Sequence, residues 1–242
     1  MLLTEMPARF FSPSMPHPRV ADPRCALGPE ETRHARKVLR IAIGETVELF
    51  DGTGKVGTAI LEDYASQGAI CRLTSIAEAD PLTPRITVAT AIPKGTKAED
   101  MVNQLSQLGA DRVIPMITHR SVVDPRDGKV ERFRRVALEA AKQSGRLTLM
   151  EITQPVPFHE VLAEVCDFGV VCCPRKDRPG DLPEQLRDCQ DAIVLIGPEG
   201  GFTDEETHRA CHAGYVPWSI SPNVLRIETA AVTAVSLMRY LA

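Results

Sequence analysis

Two prolines within four residues, Pro81 and Pro84 of Asp80-Pro81-Leu82-Thr83-Pro84, divide this chain. Proline fixes φ and lacks a backbone donor, so such a segment resists helix and sheet interior and reads as a linker. The hydrophobic period differs on its two sides. After the linker, strand-like runs at 86–91, 112–117, 168–173, 192–196 and 217–220 alternate with helical patterns at 98–108, 130–144, 158–165, 204–213 and 229–241. That alternation predicts a parallel sheet covered by helices on both faces. Thr203-Asp204-Glu205-Glu206 has capping-box spacing, and Gly214 stops the helix that it opens. Before the linker, 46–50, 55–61 and 69–76 read as strands around a turn signal at Asp51-Gly52-Thr53-Gly54. One helix opens at Pro29-Glu30-Glu31 and runs to about Arg40. Residues 1–78 are therefore expected to form a small β-rich domain or barrel, and 82–242 an α/β domain.

At about 150 residues per domain, 242 residues allow one or two domains. With 43% hydrophobic and 25% charged residues, the chain is not disordered, a coiled coil or a collagen-like repeat. The net charge of −4 means that a nucleic-acid partner would have to be met by locally gathered basic residues. No membrane span is expected, since no apolar run reaches about 18 residues, and residues 1–11 lack a signal-like apolar core. The seven cysteines include no C-x-x-C and read as reduced, mostly buried thiols of a cytoplasmic protein. His208 and His212 have metal-ligand spacing, but no third ligand is evident and H-E-x-x-H is absent, so no metal is expected.

Ligands of open parallel sheets sit beyond the C-terminal strand ends. Two segments stand out there. In Leu195-Ile196-Gly197-Pro198-Glu199-Gly200-Gly201-Phe202 an apolar strand runs into three glycines, a proline and a carboxylate. This is either a tight strand-to-helix turn or a place where a ligand approaches the backbone. It is neither a Walker loop nor G-x-G-x-x-G, so phosphate cradling is unsupported. In Ser221-Pro222-Asn223-Val224-Leu225-Arg226-Ile227-Glu228-Thr229-Ala230-Ala231, Arg226 and Glu228 precede an apolar C-terminal helix. An ion pair plus a carboxylate at a helix start explains them equally well. Basic residues gather in two places. Arg33, Arg36, Lys37 and Arg40 share one helix with His34. Residues 119–146 carry Arg120, Arg126, Lys129, Arg132, Arg134, Arg135, Lys142 and Arg146 against Asp124, Asp127, Glu131 and Glu139. Both clusters fit a solvated polar face or contact with RNA phosphates. Aromatics are only 5%, so base stacking would not dominate.

The glycine turn and the 221–230 segment together resemble the signature of the RsmE family of SPOUT methyltransferases. Further matches fall in order along the chain. They are Arg9-Phe10-Phe11, the 34–40 helix, Gly44, Leu49-Phe50-Asp51-Gly52-Thr53-Gly54, Lys94-Gly95, Leu108-Gly109-Ala110, Arg120-Ser121-Val122 and Gln143-Ser144-Gly145-Arg146. Departures stand at Gln104, Ser106, Gln107, Lys142, Ser221 and Asn223, where the family usually has other residues.

The resemblance implies an N-terminal PUA-like β-barrel over 1–78 and a C-terminal SPOUT α/β domain over 82–242 with a trefoil knot. An unaided reading would give an ordinary doubly wound sheet, because knots are rare. It implies S-adenosylmethionine (SAM) as cofactor, a cytoplasmic homodimer, and methylation of N3 of a uridine in 16S rRNA or the small ribosomal subunit. Ile196, Gly197, Pro198, Glu199, Gly200, Ile220, Ser221, Val224, Leu225 and Thr229 would then bind the cofactor. Arg226 would stabilise charge on the uracil oxygens, and Glu199 or Glu228 would orient the base or accept its proton. Arg9, Arg33, His34, Lys37, Arg40, Arg120 and Arg146 would contact RNA. Because of the departures, the alternative is an RNA-binding protein with a degenerate, inactive SPOUT domain, which cofactor binding would separate. A nucleotide-using α/β enzyme would need a phosphate loop that the sequence lacks.

Overall fold

The computed structural model describes residues 7–122, 127–173 and 184–241, so Asp124 and Arg126 lie outside the described residues. The chain divides into two compact units. One takes residues up to Pro81 together with Gly145–Leu149, and the other takes Leu82–Ser144 and Met150 onward.

In the first unit the order is β1 (Arg9–Phe11), β2 (Arg24–Ala26), α1 (Pro29–Arg33), β3 (Thr46–Phe50), β4 (Lys55–Ala65) and β5 (Gly68–Glu78). They form one five-stranded sheet ordered β1-β3-β4-β5-β2, with β1 parallel to β3 and the other pairs antiparallel. Phe10, Leu27, Val47, Leu49, Leu61 and Leu73 alternate inward and are fully buried. Strands β4 and β5 extend past their sequence-predicted ends, because Ala65 pairs with Gly68 across a tight turn. Gly68 has φ +134, and a Cβ there would lie 2.3 Å from the Leu27 carbonyl oxygen, so only glycine fits. The short strands β1 and β2 were not expected, since three residues carry too little alternation to read. The helix expected to reach about Arg40 changes after Arg33 into a π-helix over His34–Leu39, closed by Arg40 at φ 55. Val38 and Ile43 are left 64% and 61% exposed beside the basic residues of that turn. Gly145–Leu149 joins this unit through the Leu149 N–H, which donates to Gly52 O at 2.8 Å.

The second unit runs β6 (Arg85–Thr90), α2 (Lys97–Gln107), β7 (Arg112–Ile117), α3 (Asp127–Ser144), β8 (Glu151–Ile152), β9 (Val156–Pro157), α4 (Phe158–Val161), β10 (Phe168–Cys172), a 3-10 turn at Glu184–Asp188, β11 (Asp191–Ile196), α5 (Asp204–His212), β12 (Val216–Trp218) and α6 (Ile227–Leu241). Every strand pair in its sheet is parallel, in the order β12-β10-β11-β6-β7-β8, with β9 also on β7. Both faces are covered, as alternation along β11 shows. Val194 and Ile196 pack into a core with Met101, Leu105, Phe133 and Met238, whereas Ile193 and Leu195 pack with Phe158, Val161, Ala210 and Tyr215.

Three expectations shift. The helix expected over 158–165 is α-helical only to Val161, because Ala163 and Glu164 donate three residues back, to Glu160 O and Val161 O. The last strand ends at Trp218, not at 220, because the chain turns away through the Ser219 hydroxyl, which donates to Ser221 O at 3.3 Å. Helix α6 starts at Ile227, two residues early, with Arg226 O accepting the Ala230 N–H at 2.8 Å.

Candidate functional site

Strands β10, β11 and β12 are neighbours and parallel, so their C-terminal ends, Cys172, Ile196 and Trp218, open on one sheet edge. A cavity of about 780 Å³ lies there, within the size range of small-molecule sites. Its wall comes from Cys172 and Cys173, from Ile196 through Phe202, and from Trp218–Ile220, Ser221 and Asn223–Leu225. Asp204, Thr207, His208 and Cys211 add one helical face of α5, and Ile227 and Ala230 add the start of α6.

Local chemistry sets these shapes. The Gly201 N–H donates to Pro198 O at 2.8 Å, and Gly201 holds φ +67 at the turn's exit. The capping box read from the sequence is formed: the Glu206 N–H donates to Thr203 Oγ1 at 3.1 Å, and the Thr203 N–H donates to Glu206 Oε2 at 2.8 Å. In the second loop the Asn223 N–H donates to Ser221 Oγ at 3.1 Å, a local serine turn that orders the segment. Burial pushes the Cys172 thiol well above its ordinary range, so it lines the wall as a neutral, weakly polar group. Glu199 and Asp204 are carboxylates on the wall, an electrostatic preference for a ligand bearing positive charge.

Of the residues expected to bind cofactor, Ile196, Gly197, Pro198, Glu199, Gly200, Ile220, Ser221, Val224 and Leu225 line the cavity, while Thr229 does not. Of the expected catalytic residues, only Glu199 lines it. Arg226 is exposed at the end of the second loop. Glu228 forms an ion pair with Lys97 at 3.2 Å. Sequence reasoning missed Cys172, Cys173, Trp218 and the α5 face. The 204, 207, 208, 211 spacing was a helical period, but nothing in the sequence said which face of that helix turned to the loop.

The expected RNA residues separate into two sets. Arg33, Lys37 and Arg40 are exposed, and His34 meets Phe10 edge-on at 6.3 Å. The side chains of Arg9, Arg120 and Arg146 are engaged by the protein itself. Arg9 pairs with Glu48 at 3.1 Å, lies 4.6 Å over the Phe50 ring and donates to Arg146 O at 3.1 Å. Arg146 donates to Thr148 Oγ1 at 3.1 Å, and Arg120 donates to Gly200 O at 2.6 Å. Along α3, Arg132 pairs with Glu99 at 2.7 Å and Arg134 with Glu131 as exposed arginines, while Lys142, its side chain only 10% exposed, pairs with Glu139 at 3.2 Å. Among the departures, Ser106 is buried and donates to Ala137 O at 3.0 Å, joining α2 to α3. Gln107 bonds Asn103 one turn back. Among the described residues, no group of three or more His, Cys, Asp or Glu side chains could hold a metal ion.

A family model described as an RNA methyltransferase domain matches residues 80–239, and one described as an RNA methyltransferase PUA domain matches 27–74. The chain is 31% identical to "Ribosomal RNA small subunit methyltransferase E" of a Synechocystis species, over 85% of this chain and 69% of the relative. Among solved structures, it resembles a Legionella pneumophila protein solved in complex with the bound cofactor SAM, at TM-score 0.82 and 31% identity, covering 97% of both chains. It also resembles a ribosomal RNA small subunit methyltransferase E from Neisseria gonorrhoeae bound to S-adenosyl methionine at TM-score 0.86 and 26% identity, covering 98% of both. On the match over 80–239 and the aligned relatives, the chain belongs to the ribosomal RNA small subunit methyltransferase E family.

Proposed function

We propose that this chain transfers the methyl group of SAM to N3 of a uridine in 16S rRNA, acting on RNA of the small ribosomal subunit. The observation that carries this reading is the cavity at the C-terminal ends of β10, β11 and β12, walled by the glycine turn and the 219–225 loop. Its residues fit SAM. The apolar wall of Ile196, Ile220, Val224 and Leu225 suits an adenosyl group, and Glu199 and Asp204 suit the sulfonium and ammonium charges. SAM supplies an electrophilic methyl group when bound. The rest falls to the protein's own residues. Uridine N3 carries a weakly acidic proton, so it needs a base or a cation that stabilises the deprotonated ring. In this reading Arg226 provides that cation. Glu199, exposed on the cavity wall, orients the base or accepts the proton. Glu228 is the weaker of the two carboxylate candidates, because Lys97 already holds it.

The finer architecture belongs to the same proposal. The first unit's sheet closes as a PUA-like barrel, the 219–226 segment and α6 form a trefoil knot, and the enzyme works as a cytoplasmic homodimer. The boundaries 1–78 and 82–242 are extended here by assigning Gly145–Leu149 to the first unit. Exposed Arg33, Lys37 and Arg40 are the RNA-contact residues retained from the first unit, with His34 beside them. Ser221 works against the degenerate-domain alternative, since its hydroxyl orders the loop rather than disrupting it.

Trp218, the chain's single tryptophan, is 2% exposed and lines the cavity, so SAM is expected to change its fluorescence saturably. Titration with SAM, checked by calorimetry, tests this. Absence of both a fluorescence change and binding heat at millimolar SAM would favour the degenerate-domain alternative.

A further inference from the structure

In the turn that walls the cavity Pro198 is buried and Phe202 meets Phe158 at 5.5 Å, but Gly200 between them is exposed and has no packing of its own. Gly197, Gly200 and Gly201 have no side chains, and glycine segments lose the most conformational freedom on ordering. Two groups from outside the turn hold it. Arg120, just beyond β7, donates from Nη1 to Gly200 O at 2.6 Å and to Phe202 O at 3.5 Å. Its Cδ lies 3.2 Å from where a Cβ on Gly200 would sit. Glu206 is 7% exposed and joins the same two segments. Its Oε1 accepts the His119 N–H at 2.8 Å, while its Oε2 accepts the Thr203 N–H at 2.8 Å. The β7 loop is itself closed, since the Thr118 N–H donates to Ser121 Oγ at 2.9 Å and the Ser121 N–H to Thr118 O at 3.1 Å. A short, internally bonded loop thus grips the glycine turn through one guanidinium and one buried carboxylate.

We infer that Arg120 is a positioning residue for the SAM site, fixing the carbonyls of Gly200 and Phe202 so that the turn is shaped before ligand arrives. The inference rests on the function proposed above, and it withdraws Arg120 from the RNA-contact set. Order already present in the free protein need not be supplied at binding, so pre-shaping appears as cofactor affinity. Both bonds leave one nitrogen, Nη1, so a lysine ammonium that reached the same place would restore the Gly200 contact but not the planar, fixed approach of the guanidinium.

The test compares the full-length wild-type protein with Arg120→Ala and Arg120→Lys. It uses SAM titration, Michaelis constants for SAM and for rRNA, RNA binding over a salt series, and thermal melting. Arg120→Ala is expected to raise both the Kd and the KM for SAM about ten-fold, the size of a lost charge-assisted hydrogen bond. KM for rRNA, the salt slope of RNA binding and the melting temperature stay at wild-type values, and Arg120→Lys recovers part of the SAM affinity. SAM affinity within about two-fold of wild type, with RNA affinity reduced and the salt slope smaller by about one, would overturn the inference in favour of a phosphate contact. A matched fall in SAM affinity, RNA affinity and melting temperature would overturn it in favour of general folding support. If the wild-type protein itself failed to bind SAM, the proposed function would fall instead.

Discussion

Arg226→Ala is expected to slow methyl transfer by at least about 100-fold while changing SAM affinity by less than about three-fold, the pattern of a group that acts on developing charge. Arg226 is exposed, its backbone carbonyl begins α6, and its neighbours Leu225 and Ile227 line the cavity while its own side chain does not. A guanidinium there is not needed to wall the ligand, which leaves it available to the second substrate. Deprotonating a uracil at N3 spreads negative charge over its two carbonyl oxygens, and a cation nearby lowers the cost. Single-turnover rates at saturating SAM, set beside SAM titrations, make the measurement. Equal losses in rate and SAM affinity would place Arg226 in the loop's framework rather than in the chemistry.

The largest effect on stability is expected at Arg239. Its guanidinium donates to Pro84 O and Gly109 O and pairs with Asp111 at 2.7 Å, while Asp111 Oδ2 also accepts the Ile86 N–H at 2.9 Å. This joins the end of α6 to the start of β6 and to the turn after α2. The two side chains are only 14% and 18% exposed. Removing the guanidinium takes the charged donor from the Pro84 and Gly109 carbonyls and the counter-charge from a largely buried Asp111, so Arg239→Ala is expected to cost about 3–5 kcal/mol. Denaturant titration followed by Trp218 fluorescence reports on the unit that holds both. A loss under about 1 kcal/mol would show that α6 is held by apolar packing of Ala231, Val235 and Met238 alone.

Much of this was legible in the residues, for definite reasons. Strands β6, β7, β10 and β11 are buried on both faces, so they read as apolar runs. The capping box at Thr203 and Glu206 is a local rule and formed as written. The glycine turn and the 219–225 loop were readable as one site because parallel strands bring their C-terminal ends to a common edge. What was not legible depends on long-range partners. Strands β1 and β2 exist only through their pairing with β3 and β5. The π-helix at His34–Leu39 has the same composition as an ordinary helix. Arg9, Arg120 and Arg146 read as RNA contacts because basic residues in a motif look alike, whether their acceptor is a phosphate or an oxygen of the protein itself. Glu228 looked catalytic from its place beside Arg226, and only the fold shows Lys97 opposite it.

Methyl transfer to uridine N3 is read out by incubating the protein with methyl-labelled SAM and small ribosomal subunits lacking this methylation, then digesting the rRNA and separating the nucleosides. Label is expected to co-migrate with 3-methyluridine and to require both SAM and protein. Label on another atom or nucleoside would contradict the assigned reaction. No labelled rRNA from a protein that binds SAM would contradict the assigned substrate.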